Sequence, residues 1–347
     1  MSDHFNRRQF LSRTSVAAVA VCTTGGLPAL ASAAGGVVAA ASVPPTTAPM
    51  ASAKAPIERV GGPFLKVALN AYSFSKMLND HVKGRAAGGM SLMDLLGFCA
   101  KHDFHGLDAT GYFFPGYPEV PSDAYVNDFK RRAFELGVGI SGTGVRNNFT
   151  TSDKAVRDAA AAHIKEWVEV AARMGAPVLR VFADTQVKAM GWQDVAKGHT
   201  REDVQAWIVD AVSECAEHGK RYGVIIGVQN HGDFLRTGDD LLALIKAVNS
   251  DWCGAIVDTG YFKTPDPYVD IAKCAPYAVN WQVKERPFGE ENAAPTDVVR
   301  LIKIIRESGY RGYVPIETLS YKQPNYDPLA VVPAFLKQVR EAIAQTA

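Results

Sequence analysis

The sequence predicts a (β/α)₈ barrel, and three observations carry that reading. From residue 63 onward, apolar runs rich in β-branched residues alternate with segments of helical spacing eight times. That count fits the roughly 250 residues or more such a barrel needs. Several of the runs empty into polar residues at their C-terminal ends, which is how a barrel of this kind builds its mouth. No Gly-x-Gly-x-x-Gly follows the first run, as an open doubly wound dinucleotide-binding sheet would require.

The elements follow in order. The first strand is expected over 64–70. A helix over 91–102 follows, with Ser91 and Asp94 placed as a capping box and Leu92, Leu95, Leu96 and Cys99 on one face. The second strand, 106–109, runs into an aromatic loop, Tyr112 to Tyr117, and a helix over 122–136 stops at Gly137. The third strand, 139–143, leads to Arg146, Asn147 and Asn148, then to an alanine-rich helix over 154–174. The fourth, 178–182, precedes Asp184 and a helix over 203–222. The fifth begins at Val224 and ends in Gln229, Asn230, His231 and Asp233; a helix over 239–248 follows. The sixth, 255–258, ends at Asp258, and residues 270–274 leave room for only a short helix. The seventh, 279–284, carries Trp281, Gln282 and Lys284 before a helix over 295–308. The eighth, 313–317, ends at Glu317, and a helix over 328–344 closes the chain.

Composition bounds the function. The chain is 47% hydrophobic and 21% charged, as soluble globular proteins are, and its net charge of +1 gives no field for nucleic acid. The N-terminus reads as an export signal. Asn6-Arg7-Arg8-Gln9-Phe10-Leu11 is a twin-arginine pattern, 16–21 is apolar, and Ala31-Ser32-Ala33 suits signal-peptidase cleavage. The expected organisation is a signal peptide over 1–33, a flexible Ala/Pro/Thr/Ser linker over 34–60 and a single barrel domain over 61–347. The destination is periplasmic or secreted. The apolar stretch is too short for stable membrane insertion, and Val21 before Cys22 is too large for a good lipidation site. No cysteine falls in a CxxC or Cys/His cluster, so the remaining four read as buried thiols. Monomer and oligomer both stay open.

Taken singly, an acidic residue at a strand end more often caps a helix or meets solvent. The ordered set Gln229, Asp258, Gln282, Glu317 says more, because consecutive strands bring these ends to one point. Two carboxylates and two amide oxygens are hard ligands, suited to Mn²⁺, Mg²⁺ or Ca²⁺, with Mn²⁺ or Mg²⁺ expected. From about residue 63 to its end the chain resembles the xylose-isomerase-like barrels, the sugar phosphate isomerase/epimerase group. There the fifth strand ends Glu-Asn-His, the sixth Asp-x-Gly-Asn, the seventh His-x-Lys-Asp and the eighth Glu. Here these places read Gln229-Asn230-His231, Asp258-Thr259-Gly260-Tyr261, Gln282-Val283-Lys284-Glu285 and Glu317. The resemblance implies a metal held by Gln229, Asp258, Gln282 and Glu317, and proton transfer next to the carbonyl of a sugar, cyclitol or keto-sugar. It also implies a small carbohydrate as the partner.

Two departures bear on that expectation. Gln229 replaces a carboxylate and Gln282 an imidazole, so the metal would be held more loosely and two-base epimerisation loses one base. One-base chemistry through Glu317, including elimination, is favoured. The expected catalytic residues are Glu317, His231 and Lys284, with Asn230, Arg180, Asn147, Tyr72 and Trp281 contacting substrate. Each has an ordinary alternative: a backbone-satisfied loop histidine, a Lys284 salt bridge to a barrel acid such as Asp108, turn asparagines, core aromatics. The alternative for the whole is a carbohydrate-binding barrel that has lost turnover. An endonuclease IV-like nuclease, which needs a multi-metal cluster with several histidines, is disfavoured: the chain is not basic and has no such histidine set at its strand ends.

Overall fold

Eight parallel strands close on one another in sequence order, β1 pairing with both β2 and β8. The computed structural model describes residues 54–85, 89–287, 294–320 and 325–347. The strands are β1 (Phe64–Asn70), β2 (Gly106–Thr110), β3 (Gly139–Gly144), β4 (Val178–Phe182), β5 (Ile225–Gln229), β6 (Cys253–Asp258), β7 (Ala278–Lys284) and β8 (Arg311–Glu317). The helices are α1 (Ser75–Val82), α2 (Leu92–Lys101), α3 (Asp123–Glu135), α4 (Lys154–Met174), α5 (Trp192–Ala196), α6 (Arg201–Tyr222), α7 (Gly238–Val248), α8 (Pro267–Cys274), α9 (Val298–Glu307) and α10 (Pro328–Gln345). This is the (β/α)₈ barrel expected from the alternation. α1 and α5 lie in loops where no helix was expected. Both are short, and α1 carries only one buried residue, Leu78, so the apolar period that marks a helix in sequence is missing.

Helix ends obey local chemistry. Ser91, Thr200 and Thr237 cap α2, α6 and α7 with full capping boxes closed by Asp94, Asp203 and Asp240. The core lies between the strands and the helical ring, and the four cysteines of the described residues are buried free thiols within it.

One expectation is corrected at the domain edge. The last part of the stretch expected to be a flexible linker, residues 54–60, is tied to the barrel. Ile57 N donates to Pro276 O at 3.0 Å, and Arg59 donates to Pro276 O at 3.2 Å and Ala278 O at 2.7 Å. A composition rich in small residues shows flexibility of the free chain, not the carbonyls left at the start of a strand. The signal peptide, Cys22 and the rest of that linker lie outside the described residues. Among the described residues no helix is long and apolar enough to cross a membrane.

Candidate active site

Strand register sets the candidate groups at two levels of the C-terminal mouth. Asp258 of β6 sits beside Gln282 of β7, and Lys284 of β7 beside Glu317 of β8. Side chains along a strand alternate between faces, so Asn280, Gln282 and Lys284 share one face of β7 and Trp281 takes the other. The first three meet groups from other strands inside the barrel. Trp281 is fully buried outside it, edge-on to Tyr310, and does not line the cavity. The expected substrate contact of Trp281 is therefore corrected: it is a core residue, as its parity against Gln282 dictates.

The mouth opens into a cavity of about 650 Å³. Gln229, His231, Tyr261, Gln282, Lys284 and Glu317 line one side of it. Tyr72, Thr110, Tyr112, Arg146 and Arg180 line the other.

At its floor stands an ammonium between two carboxylates. Lys284 Nζ is 2.7 Å from Glu317 Oε2 and 3.3 Å from Asp258 Oδ2, with side-chain exposures of only 3%, 4% and 0%. Burial works against the lysine charge, yet Asp258 and Glu317 outweigh it and raise its pKa above that of a free lysine. Burial also pushes the Glu317 carboxyl up; Lys284 pulls it down and Asp258 adds to the rise, for a net upward shift. Gly260 makes room for this lysine: a Cβ there would lie 2.7 Å from Lys284 Cγ. The salt-bridge partners are thus Asp258 and Glu317. Asp108 lies a layer below, accepting from Asn280 Nδ2 at 3.1 Å, its pKa pushed up to about 6 by burial and drawn back by Arg180.

The two glutamines complete the cluster. Gln229 Nε2 donates to Asp258 Oδ2 at 2.6 Å, and Arg180 donates to Gln229 Oε1 at 3.4 Å. Gln282 is satisfied best with its nitrogen toward Glu317 Oε2 (3.1 Å) and Asp258 Oδ2 (3.2 Å) and its oxygen accepting from Asn70 Nδ2 (3.1 Å). Its nitrogen then meets Gln229 Nε2 at 2.8 Å; in the opposite orientation that contact is a hydrogen bond, but the Gln282 oxygen then faces the Glu317 and Asp258 oxygens.

The asparagines do a different task from the one expected. Asn230 exchanges two hydrogen bonds with the Asp258 backbone, both 2.9 Å, and Asn147 exchanges two with the Phe182 backbone, both 2.8 Å. A primary amide has the donor and acceptor of a peptide group, so each extends a ladder past the end of its strand. Neither lines the cavity, and the expected substrate contacts of Asn230 and Asn147 are corrected to positioning roles. His231 stands at the rim, Nδ1 bonded to Asp184 Oδ2 and its ring between Phe182 and Tyr261.

Arg146 was missed as a site residue. Its guanidinium lies 4.8 Å from the Tyr112 ring centroid, and Arg180 lies 5.4 Å from the same ring and bonds its hydroxyl. No carboxylate lies within salt-bridge distance of either among the described residues. Gly144 gives Arg180 its place: a Cβ there would lie 2.5 Å from Nε. The signal was present in Arg146 following a strand end, but only the fold brings it to Arg180 and Tyr112.

A parallel barrel with acid, amide and lysine groups at its strand ends defines a class of small-molecule site. The particular family follows from comparison. Residues 96–339, more than half of the chain, match the family model described as Xylose isomerase-like TIM barrel, and the chain belongs to that family. No curated protein matches by sequence. Among solved structures it is similar to the D-psicose 3-epimerase of Clostridium cellulolyticum H10 with D-tagatose, at 14% identity and TM-score 0.64, covering 80% of this chain and 99% of that one. It is similar to the 3-keto-D-glucoside 4-epimerase YcjR of E. coli, apo form (13%, TM-score 0.59, 80% and 99%). It is also similar to the IolI protein with a bound zinc atom (14%, TM-score 0.61, 81% and 99%). These neighbours are a fold likeness, and one of them holds a metal.

The divalent ion expected at Gln229, Asp258, Gln282 and Glu317 does not fit this arrangement. Lys284 Nζ already stands between the two carboxylates. A divalent ion beside that ammonium meets a repulsion on the order of 10 kcal/mol at an effective dielectric near 20, and the two carboxylates that would attract it are already shared with Lys284. The two amides are neutral and add no charge to the balance.

Proposed function

We propose that this chain is a sugar isomerase- or epimerase-like enzyme, or a lyase, that removes a proton next to the carbonyl of an oxidised sugar or cyclitol. The observation that carries the reading is the Glu317–Lys284 pair, 2.7 Å apart at the floor of a cavity of sugar-sized volume. Glu317 takes the α-proton, and burial raises its basicity toward what a base needs near neutral pH. The C–H electron pair becomes the C=C bond of an enediolate, and the former carbonyl oxygen takes the charge. Lys284 donates to that oxygen, one of its three N–H groups being left over from the two carboxylates. The proton then returns to the former carbonyl carbon while the hydroxyl proton of the neighbouring carbon passes to the charged oxygen, so that the carbonyl moves by one carbon; or a β-hydroxyl leaves as water with a proton from His231, which Asp184 orients, and the carbonyl re-forms. Arg146 and Arg180 favour a substrate with a carboxylate or several hydroxyls facing them, and Tyr72 and Tyr112 a ring to stack upon.

The test needs no prior substrate. Keto-sugars, uronates and inososes are incubated with the protein in D₂O and proton NMR follows loss of the α-hydrogen signal. Exchange by the parent and none by Glu317→Gln supports the reading. Saturable binding with no exchange of any compound moves the carbohydrate-binding alternative ahead, which Gln229 in place of a second carboxylate favours. The proposal includes twin-arginine export. Arg7→Lys with Arg8→Lys is expected to retain the protein in the cytoplasm, and normal export of that double variant overturns this part.

A further inference from the structure

We infer that in this chain the Lys284 ammonium takes the place of the divalent ion, and that Gln229 is what makes the exchange complete. The argument is charge balance around one point. Asp258 and Glu317 contribute two negative charges, and Lys284 removes one of them at distances of 3.3 and 2.7 Å. Adding a divalent ion to these three groups leaves a net positive charge at a buried point, and Gln229 and Gln282 beside it are neutral. A carboxylate at position 229 would have balanced lysine and ion together. Gln229 contributes none, and spends its nitrogen on Asp258 Oδ2 at 2.6 Å.

Geometry agrees with the balance. The lysine is held in place by more than its charge. Its stem fills the space that Gly260 leaves open, and its ammonium lies 5.6 Å from the Tyr261 ring centroid. Its backbone N donates to Thr259 Oγ1 at 2.9 Å. The chemical work of a Lewis acid, holding negative charge on a substrate oxygen, then falls to a point charge with three donors.

The catalytic consequence rests on the proposed function, but occupancy does not, because the experiment reads metal without substrate. Mn²⁺ is titrated by calorimetry and electron paramagnetic resonance into the parent, Lys284→Met and Gln229→Glu. The parent is expected to show no saturable site up to about 1 mM, whereas each variant restores charge balance and takes up one equivalent at least tenfold more tightly. If Lys284→Met fails to fold, Gln229→Glu decides alone, since it keeps the lysine. One equivalent of Mn²⁺ on the parent overturns the inference, as does the absence of any gain in a folded variant. Loss of all proton-exchange activity with an unchanged metal result would count against the proposed function only.

Discussion

Strands β5 to β8 end in Gln229, Asp258, Lys284 and Glu317, whereas β1 to β4 and their loops present Tyr72, Thr110, Tyr112, Arg146 and Arg180 to the same cavity. On the first side the lysine is neutralised by acids within 3.3 Å and every group is buried. On the second, the two guanidiniums have aromatic faces and neutral acceptors for company. The first side can move a proton and hold the charge that results. The second has guanidiniums outside salt-bridge distance of any carboxylate among the described residues, and so can orient a substrate but offers no base among the groups named. On the proposed function, one barrel mouth would separate chemistry from recognition by which half of the strand ends it uses.

Substitutions on the two sides should separate in kinetics. The largest effect is expected at Glu317→Gln, with proton exchange falling by about 10²- to 10⁴-fold while circular dichroism shows the barrel intact. A loss under tenfold would remove Glu317 as the base. Next comes Arg180→Met. Loss of a charged hydrogen bond of about 1.5–3 kcal/mol should raise KM for a carboxylate-bearing substrate by about 10- to 100-fold and change kcat less. An equal loss in kcat would place Arg180 with the chemical half instead. The least kinetic change is expected at Trp281→Ala, one residue from Gln282 but on the opposite face. It should lower stability by about 3–5 kcal/mol in denaturant titration and leave KM within twofold. A specific rise in KM would return Trp281 to the substrate.

How much of this was legible in sequence divides along the same line. Strand–helix alternation and polar strand ends, with stop glycines such as Gly175 and Gly223, are local signals, and they gave the barrel and the order of its elements. Asp258, Gln282, Lys284 and Glu317 were readable because they end consecutive strands that the fold must bring together. The pairing of Lys284 with both acids was not, since it depends on side-chain reach across β6, β7 and β8. Asn147 and Asn230 were misassigned because an amide at a strand end reads as a substrate contact until its backbone partners are seen. Trp281 was misassigned although its parity in β7 places it outside. Arg146 and Arg180 come together only through Tyr112, whose loop has no period to read.

The central claim is that an ammonium, not a metal ion, occupies the point between Asp258 and Glu317. The most direct measurement is a crystal structure from Mn²⁺-soaked crystals, with anomalous diffraction collected at the manganese edge. The account predicts no anomalous peak at that point, and Lys284 Nζ within hydrogen-bonding range of both carboxylates. A full-occupancy peak between Asp258 and Glu317, with Lys284 turned away, would contradict it.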